Sequence, residues 1–314
     1  MIKTHVLGYP RIGAKREIKK ASEKYWSDKI SLQELIQAGK DQRQYNWNLQ
    51  KEAELDLVPV NDFSFYDHIL DMTLTVGAIP DRFQDLKNLD PHDLYFAMAR
   101  GYQKEGYDII PMEMTKWFDT NYHYIVPEFK KNQKFTYFSD KIVEEYQEAK
   151  DFGVNPKPVI IGPVSYLLLG KEKEEGFDRI DLVDSLLPVY FEILEKLQEE
   201  GAEWIQFDEP FLAMDLEDKH KDVFQDVYTR LNDRFPNLNI LLATYFEGLH
   251  DNTKLAVSLP VEALHLDLVR EPNQLKNVLD VAPGEMTLSL GLIDGRNIWK
   301  NDLTNSLDMV REAT

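Results

Sequence analysis

Arg16, Lys19 and Lys20 stand at i, i+3 and i+4, so a helix starting near Lys15 would carry all three cations on one face. The stretch before them, Gly8-Tyr9-Pro10-Arg11-Ile12-Gly13-Ala14, contains a proline and a glycine that keep the chain out of helix. Positive side chains in a first helical turn oppose the positive end of the helix macrodipole. A bound anion reverses that balance, because free backbone N–H groups, the dipole and the three side chains would converge on it. The plainer alternative is a solvated basic face neutralised by Glu17 and Glu23, and spacing alone leaves both readings open.

A second chemistry-bearing stretch is Met112-Glu113-Met114-Thr115-Lys116-Trp117-Phe118-Asp119-Thr120-Asn121-Tyr122-His123. It sets carboxylates, a lysine, an amide and a histidine among aromatic rings, the mixture of apolar wall and sparse polar groups found in ligand pockets. Lys116 would supply a further cation to a polyanion held by Arg16 and Lys19, with Trp117, Asp119 and Asn121 as pocket residues. Alternatively Trp117, Phe118 and Tyr122 pack a rim, while Asp119 and His123 satisfy backbone groups. Asp208, Glu209, Asp267 and Asp294 fall at the ends of predicted strands. Glu113 and Glu209 could act as the acid and base of a metal-independent hydrolase, against simple pairing of Asp208 or Glu209 with Arg296. Metal ligation is not expected: histidines 5, 68, 92, 123, 220, 250 and 265 show no H-x-H or H-x-x-x-H spacing, and cysteine is absent.

Apolar runs at 6–9, 57–60, 109–112, 159–161, 204–207, 240–244, 263–267 and 287–293 must position these groups, and they alternate with longer helical patterns. Eight such units predict the α/β class and a single (βα)8 TIM-type barrel, whose sites lie at the carboxyl ends of the strands. Over 182–199 the residues Leu186, Leu187, Tyr190, Ile193, Leu194 and Leu197 form one apolar stripe opposite a glutamate-rich face. Helical patterns at 15–26 and 31–54 predict an N-terminal helical hairpin inserted at about 15–54. Another at 301–311, capped by Asn301 or Asp302, would close the ring. One domain over 1–314 follows.

With 36 basic and 55 acidic side chains the formal charge is −19, which argues against nucleic acid or an anionic membrane as partner. No run approaches the ~20 apolar residues of a membrane span. The first residues lack a secretory pattern, and with no cysteine the expected setting is cytoplasmic.

The Gly8-to-Lys19 segment, the stretch from Glu113 to His123, and Asp294-Gly295-Arg296-Asn297-Ile298-Trp299 together resemble the N-terminal domain of the cobalamin-independent methionine synthases. The resemblance implies methyl transfer from 5-methyltetrahydropteroyltriglutamate to homocysteine. It implies a C-terminal catalytic barrel that holds zinc through His, Cys, Glu and Cys and that would begin beyond this chain. It also implies that Arg16, Glu17, Ile18, Lys19 and Lys116 contact the glutamate tail of the folate. On this view the chain carries no catalytic residue, metal or cofactor of its own, zinc belongs to the full-length enzyme, and the chain alone is inactive. The competing expectations are a stand-alone folate-polyglutamate-binding protein and the hydrolase built on Glu113 and Glu209.

Overall fold

The computed structural model describes residues 2–104 and 106–314. Its first elements are α1 (Glu17–Trp26), α2 (Leu32–Glu52), β1 (Val58–Val60), α3 (His68–Thr75) and α4 (Pro91–Arg100). A middle section holds β2 (Met114–Lys116), β3 (His123–Ile125), β4 (Glu128–Phe129), α5 (Lys141–Phe152), β5 (Pro156–Ile161), α6 (Pro163–Leu169) and β6 (Lys171–Glu172). Strand and helix then alternate through α7 (Val183–Glu199), β7 (Trp204–Asp208), α8 (Asp218–Arg234), β8 (Asn239–Ala243) and α9 (Thr253–Ser258). The last elements are β9 (Ala263–Asp267), α10 (Gln274–Leu279), β10 (Thr287–Gly291) and α11 (Leu303–Ala313). No helix among the described residues is long and apolar enough to cross a membrane.

Six strands form one parallel sheet in the order β1-β5-β7-β8-β9-β10. Parallel neighbours need crossovers, and the helices between them supply these. Helix α7 shows why they pack: its stripe of Leu186, Leu187, Tyr190, Ile193, Leu194 and Leu197 is fully buried. Each such side chain contributes roughly 1.5–3 kcal/mol of transfer free energy. Phe207 of β7 lies against Tyr190 of α7 and Tyr228 of α8, with ring centres 6.1 and 6.3 Å apart. Because strand side chains alternate, Gln206 and Asp208 must point to the opposite, concave face.

Two of the eight expected strands are not strands. The run at 6–9 joins no ladder: His5, the residue before it, makes a single parallel bridge with Leu57, and the chain then turns away. The carbonyls of Val6 and Leu7 accept instead from the side chains of Lys157 and Gln206, at 3.2 and 3.1 Å. The run at 109–112 lies outside the sheet, and β1 pairs directly with β5. Ile109 makes an antiparallel bridge to Tyr102, and the Met112 N–H donates to the Met98 carbonyl at 2.9 Å. Gly101, at φ 82°, makes that reversal: a Cβ there would sit 2.7 Å from the Ile109 carbonyl oxygen. Pro111 lacks the N–H that a central strand needs. The described sheet is therefore a curled six-stranded one, with β1 and β10 at its edges. His5 touches both edges, through its backbone bridge beside β1 and through Nε2, 2.8 Å from Ser289 Oγ of β10.

Helices α1 and α2 pack on one another. A capping box starts α2: Ser31 Oγ accepts from the Glu34 N–H at 3.3 Å, and the Glu34 carboxylate accepts from the Ser31 N–H at 2.8 Å. Helix α11 starts at Leu303 with Asp302 as its N-cap, accepting from the N–H groups of Thr304 and Asn305.

Candidate functional site

Loop 8–16 carries the predicted basic segment to the start of α1. Arg16 is the N-cap in left-handed conformation, φ 61° and ψ 43°, and its side chain is exposed. Glu17 turns back to accept the Lys15 N–H at 2.9 Å, and such backbone N–H groups hold its carboxyl below the usual range. Ile18 is fully buried and packs inward. Lys19 projects into solvent with Glu23 at 3.7 Å. The segment thus divides by physical role: Arg16 and Lys19 are presented outward, while Glu17 braces the turn and Ile18 anchors it.

Strands β2 and β3 form an antiparallel hairpin in which Lys116 lies opposite His123, with both side chains exposed. Its turn is stiff. The Trp117 N–H donates to the Tyr122 carbonyl at 2.8 Å, and the Thr120 hydroxyl donates to the Trp117 carbonyl at 2.6 Å. Trp117 is buried against the rings of His68 at 4.7 Å, Phe118 at 5.0 Å and Tyr124 at 5.5 Å, so its role is packing. Asn121 is exposed, and its carbonyl lies 3.1 Å from His123 Nδ1. Asp119 accepts from Arg270, which follows β9, at 2.8 Å and lies 4.0 Å from Arg296, which follows β10. The Arg270 hydrogen bond holds the Asp119 carboxyl below its ordinary range. Phe118 packs on Phe211 after β7 and Phe246 after β8, at 5.6 and 5.7 Å. Phe118 and Phe246 both have positive φ, 49° and 77°, a strained backbone choice that clusters at functional sites. The hairpin turn therefore lies over the carboxyl ends of four strands.

The expected pairing of Asp208 or Glu209 with Arg296 does not form. Asp208 accepts from Gln206 Nε2 at 2.7 Å and from the Tyr245 hydroxyl at 3.0 Å. Glu209 is fully buried; it accepts the N–H groups of Ser165 and Val164 at 2.8 and 3.4 Å and the Tyr228 hydroxyl at 2.9 Å. It serves as a cap for α6. Glu113 is exposed and paired with Lys171 at 2.5 Å. A buried cap and a surface ion pair cannot flank one scissile bond with water between them, so the hydrolase reading loses its residues.

A polar network fills the concave face of the sheet, and sequence reasoning missed it. Lys157 Nζ, fully buried, donates to Gln206 Oε1 and lies 3.0 Å from His5 Nδ1. His5 Nε2 and His265 Nδ1 share Ser289 Oγ at 2.8 and 2.7 Å. Burial lowers His5 to about 4 and His265 to about 3, so both imidazoles are neutral near pH 7. A legible signal existed: Gln206, His265 and Ser289 are each the polar middle residue of a strand, with an apolar residue on either side.

A concavity of about 860 Å³ lies elsewhere, between 77–87, 110–113, 128–136 and 173–174. Its charges largely neutralise one another, with Arg82 bidentate on Glu128 at 2.7 and 2.8 Å and Lys130 on Asp81. Among the described residues no group of three or more His, Cys, Asp or Glu side chains could hold a metal ion.

Residues 3–314 match the family model described as the N-terminal domain of cobalamin-independent synthase. A 5-methyltetrahydropteroyltriglutamate–homocysteine methyltransferase of Flavobacterium johnsoniae is 62% identical over 315 residues, covering 99% of this chain and 41% of that protein. The enzyme of the same name from Coxiella burnetii is 51% identical over 310 residues, covering 99% of this chain and 40% of that one. This chain thus spans about two fifths of the length of these relatives. A B12-independent methionine synthase from Shewanella sp. W3-18-1, solved with selenomethionine, shares the fold with a TM-score of 0.64 at 14% identity, covering 91% of this chain and 79% of that one.

Proposed function

Because the chain belongs to the family of cobalamin-independent synthase N-terminal domains, we propose that it is the folate-tail-binding and scaffolding half of an enzyme that moves a methyl group from 5-methyltetrahydropteroyltriglutamate to homocysteine. The end-to-end similarity to relatives named for that reaction carries the reading. Residues 1–314 act as one domain with a helical insertion at about 15–54. Its curled sheet is part of a (βα)8-type barrel, since the His5 segment already joins both sheet edges.

Arg16, Lys19 and Lys116 are the cations that meet the tail carboxylates in this reading. All three are exposed, on two segments whose adjoining loops Arg11 and Tyr122 bring into contact. Glu17 and Ile18 contribute by shaping the turn. Trp117, Asp119 and Asn121 support the hairpin from below, across and within its turn. A triglutamate presents several carboxylates, so affinity should rise from mono- to triglutamate folate and fall with salt. Lys19→Ala and Lys116→Ala are expected to weaken triglutamate binding by about threefold to tenfold each, leaving monoglutamate binding unchanged. The measurement is the Michaelis constant for both substrates in the full-length enzyme. Variants that discriminate tail length as well as the parent does would sink the assignment.

Methyl transfer also needs an activated thiol, since homocysteine is mostly protonated near neutral pH and a metal is the family's means of deprotonating it. With no cysteine in the sequence and no metal-ligand cluster among the described residues, this chain does not fit zinc. We assign zinc to a separate C-terminal catalytic barrel. The purified chain, given zinc, is expected to bind it substoichiometrically and to show no methyl transfer to homocysteine; turnover above a no-protein control would end this reading. A cytoplasmic setting goes with a thiol substrate, which must stay reduced.

A further inference from the structure

Loop 8–16 reaches α1 without a strand ladder, so side chains must hold it. Asp62 Oδ2 accepts the Tyr9 N–H at 2.7 Å, and Asn46 Nδ2 donates to the Pro10 carbonyl at 3.3 Å. Arg11 then reaches furthest. Its Nη1 donates to the Ser64 carbonyl at 2.9 Å, and its Nη2 donates to the Tyr66 carbonyl and to Tyr122 Oη, the latter at 3.4 Å. The guanidinium also lies 5.9 Å from the centre of the Tyr122 ring. One side chain therefore ties three segments: its own loop, the connection from β1 to α3, and the hairpin turn.

The hairpin side of this contact is packed and hydrogen-bonded. The Tyr122 ring stacks on His68 at 6.2 Å, His68 meets Trp117 at 4.7 Å, and the Tyr122 carbonyl holds the Trp117 N–H. Trp117 directly follows Lys116, so the position of Tyr122 is passed to the strand end that carries that lysine. Residue type matters here. A planar guanidinium has five donors in a fixed fork and can serve two carbonyls, a hydroxyl and a ring together, whereas an ammonium head at the end of a flexible stem cannot match that geometry.

We propose that Arg11 is a positioning residue that fixes loop 8–16 against the 117–122 turn, so that the cations of the two segments act as one site. Its ligand-binding consequence rests on the folate-tail reading above; the coupling of the two segments does not.

Arg11→Lys and Tyr122→Phe, made in the protein as its gene encodes it, test both parts. Hydrogen exchange without ligand should quicken in 9–18 and in 117–124 together for Arg11→Lys, and by less in the same two segments for Tyr122→Phe, with β8 and β9 unchanged. Faster exchange in 9–18 alone would overturn the coupling. The second arm measures affinities for 5-methyltetrahydrofolate with one and with three glutamates. Arg11→Lys should lower the preference for the triglutamate by about fivefold or more while monoglutamate affinity stays, as expected when charge-assisted contacts lose their alignment. An equal loss for both ligands shows a merely structural role and overturns the positioning claim. A parent that binds both ligands equally overturns the tail reading instead, and the coupling is then decided by exchange.

Discussion

Glu209→Ala is expected to destabilise the protein by about 3–6 kcal/mol, because it strips acceptors from buried donors that have nowhere else to turn, each worth roughly 1–3 kcal/mol. The donors are the N–H groups of Ser165 and Val164 and the Tyr228 hydroxyl. A loss of that size is comparable with the whole stability of many domains, roughly 5–15 kcal/mol. Glu209→Gln keeps the volume, and its expected signature is in pH. Burial pushes the Glu209 carboxyl up to about 7 from its ordinary 4.5. The native state then holds the proton more tightly than the unfolded chain, so unfolding releases a proton between these values and parent stability falls as pH rises through them. In Glu209→Gln that contribution is absent, and the difference between parent and variant should change between pH 5 and pH 8. Denaturant titrations at both values check it; a constant difference would show that Glu209 has the same proton affinity folded and unfolded.

Lys157→Met should give the opposite pH signature. Burial lowers the Lys157 ammonium to about 7 from 10.5, against the opposing pull of Asp208 and Asp62. Here the unfolded chain binds the proton more tightly, so unfolding takes one up and stability rises with pH across that window. The methionine variant should lack the rise between pH 7 and pH 9. Near neutral pH it is also expected to lose about 2–4 kcal/mol, since Gln206 Oε1 and the Val6 carbonyl lose a buried donor. Local loosening should appear first around His5 and Val6, where side chains replace a strand ladder, and limited proteolysis of the N-terminal segment would register it. A variant that melts like the parent at both pH values, with no added cleavage there, would remove Lys157 from this role.

Local pattern decided much of the fold. The stripe over α7, the six sheet strands and the helices beginning at Glu17 and Leu32 are each specified by periodicity and caps that a few neighbouring residues encode. The outward cations Arg16, Lys19 and Lys116 were legible for the same reason, since their spacing and charge need no partner to be seen. What the sequence could not settle depends on residues far apart along the chain. The runs at 6–9 and 109–112 have strand composition, yet whether a run joins a ladder depends on which backbone lies beside it. At Val6 and Leu7 the partners are Lys157 and Gln206, some 150 and 199 positions away. Glu209 at a strand end suits either an acid–base pair with Glu113 or an ion pair with Arg296, and only its contacts with α6 and Tyr228 make it a buried cap. Trp117 and Asp119 suit a pocket and a packed rim equally well in the sequence, and only the packed chain puts Trp117 on His68 and pairs Asp119 with Arg270. Propensity and periodicity act within a few residues, whereas burial and hydrogen-bond partners are properties of the packed chain, so tertiary structure assigns the roles.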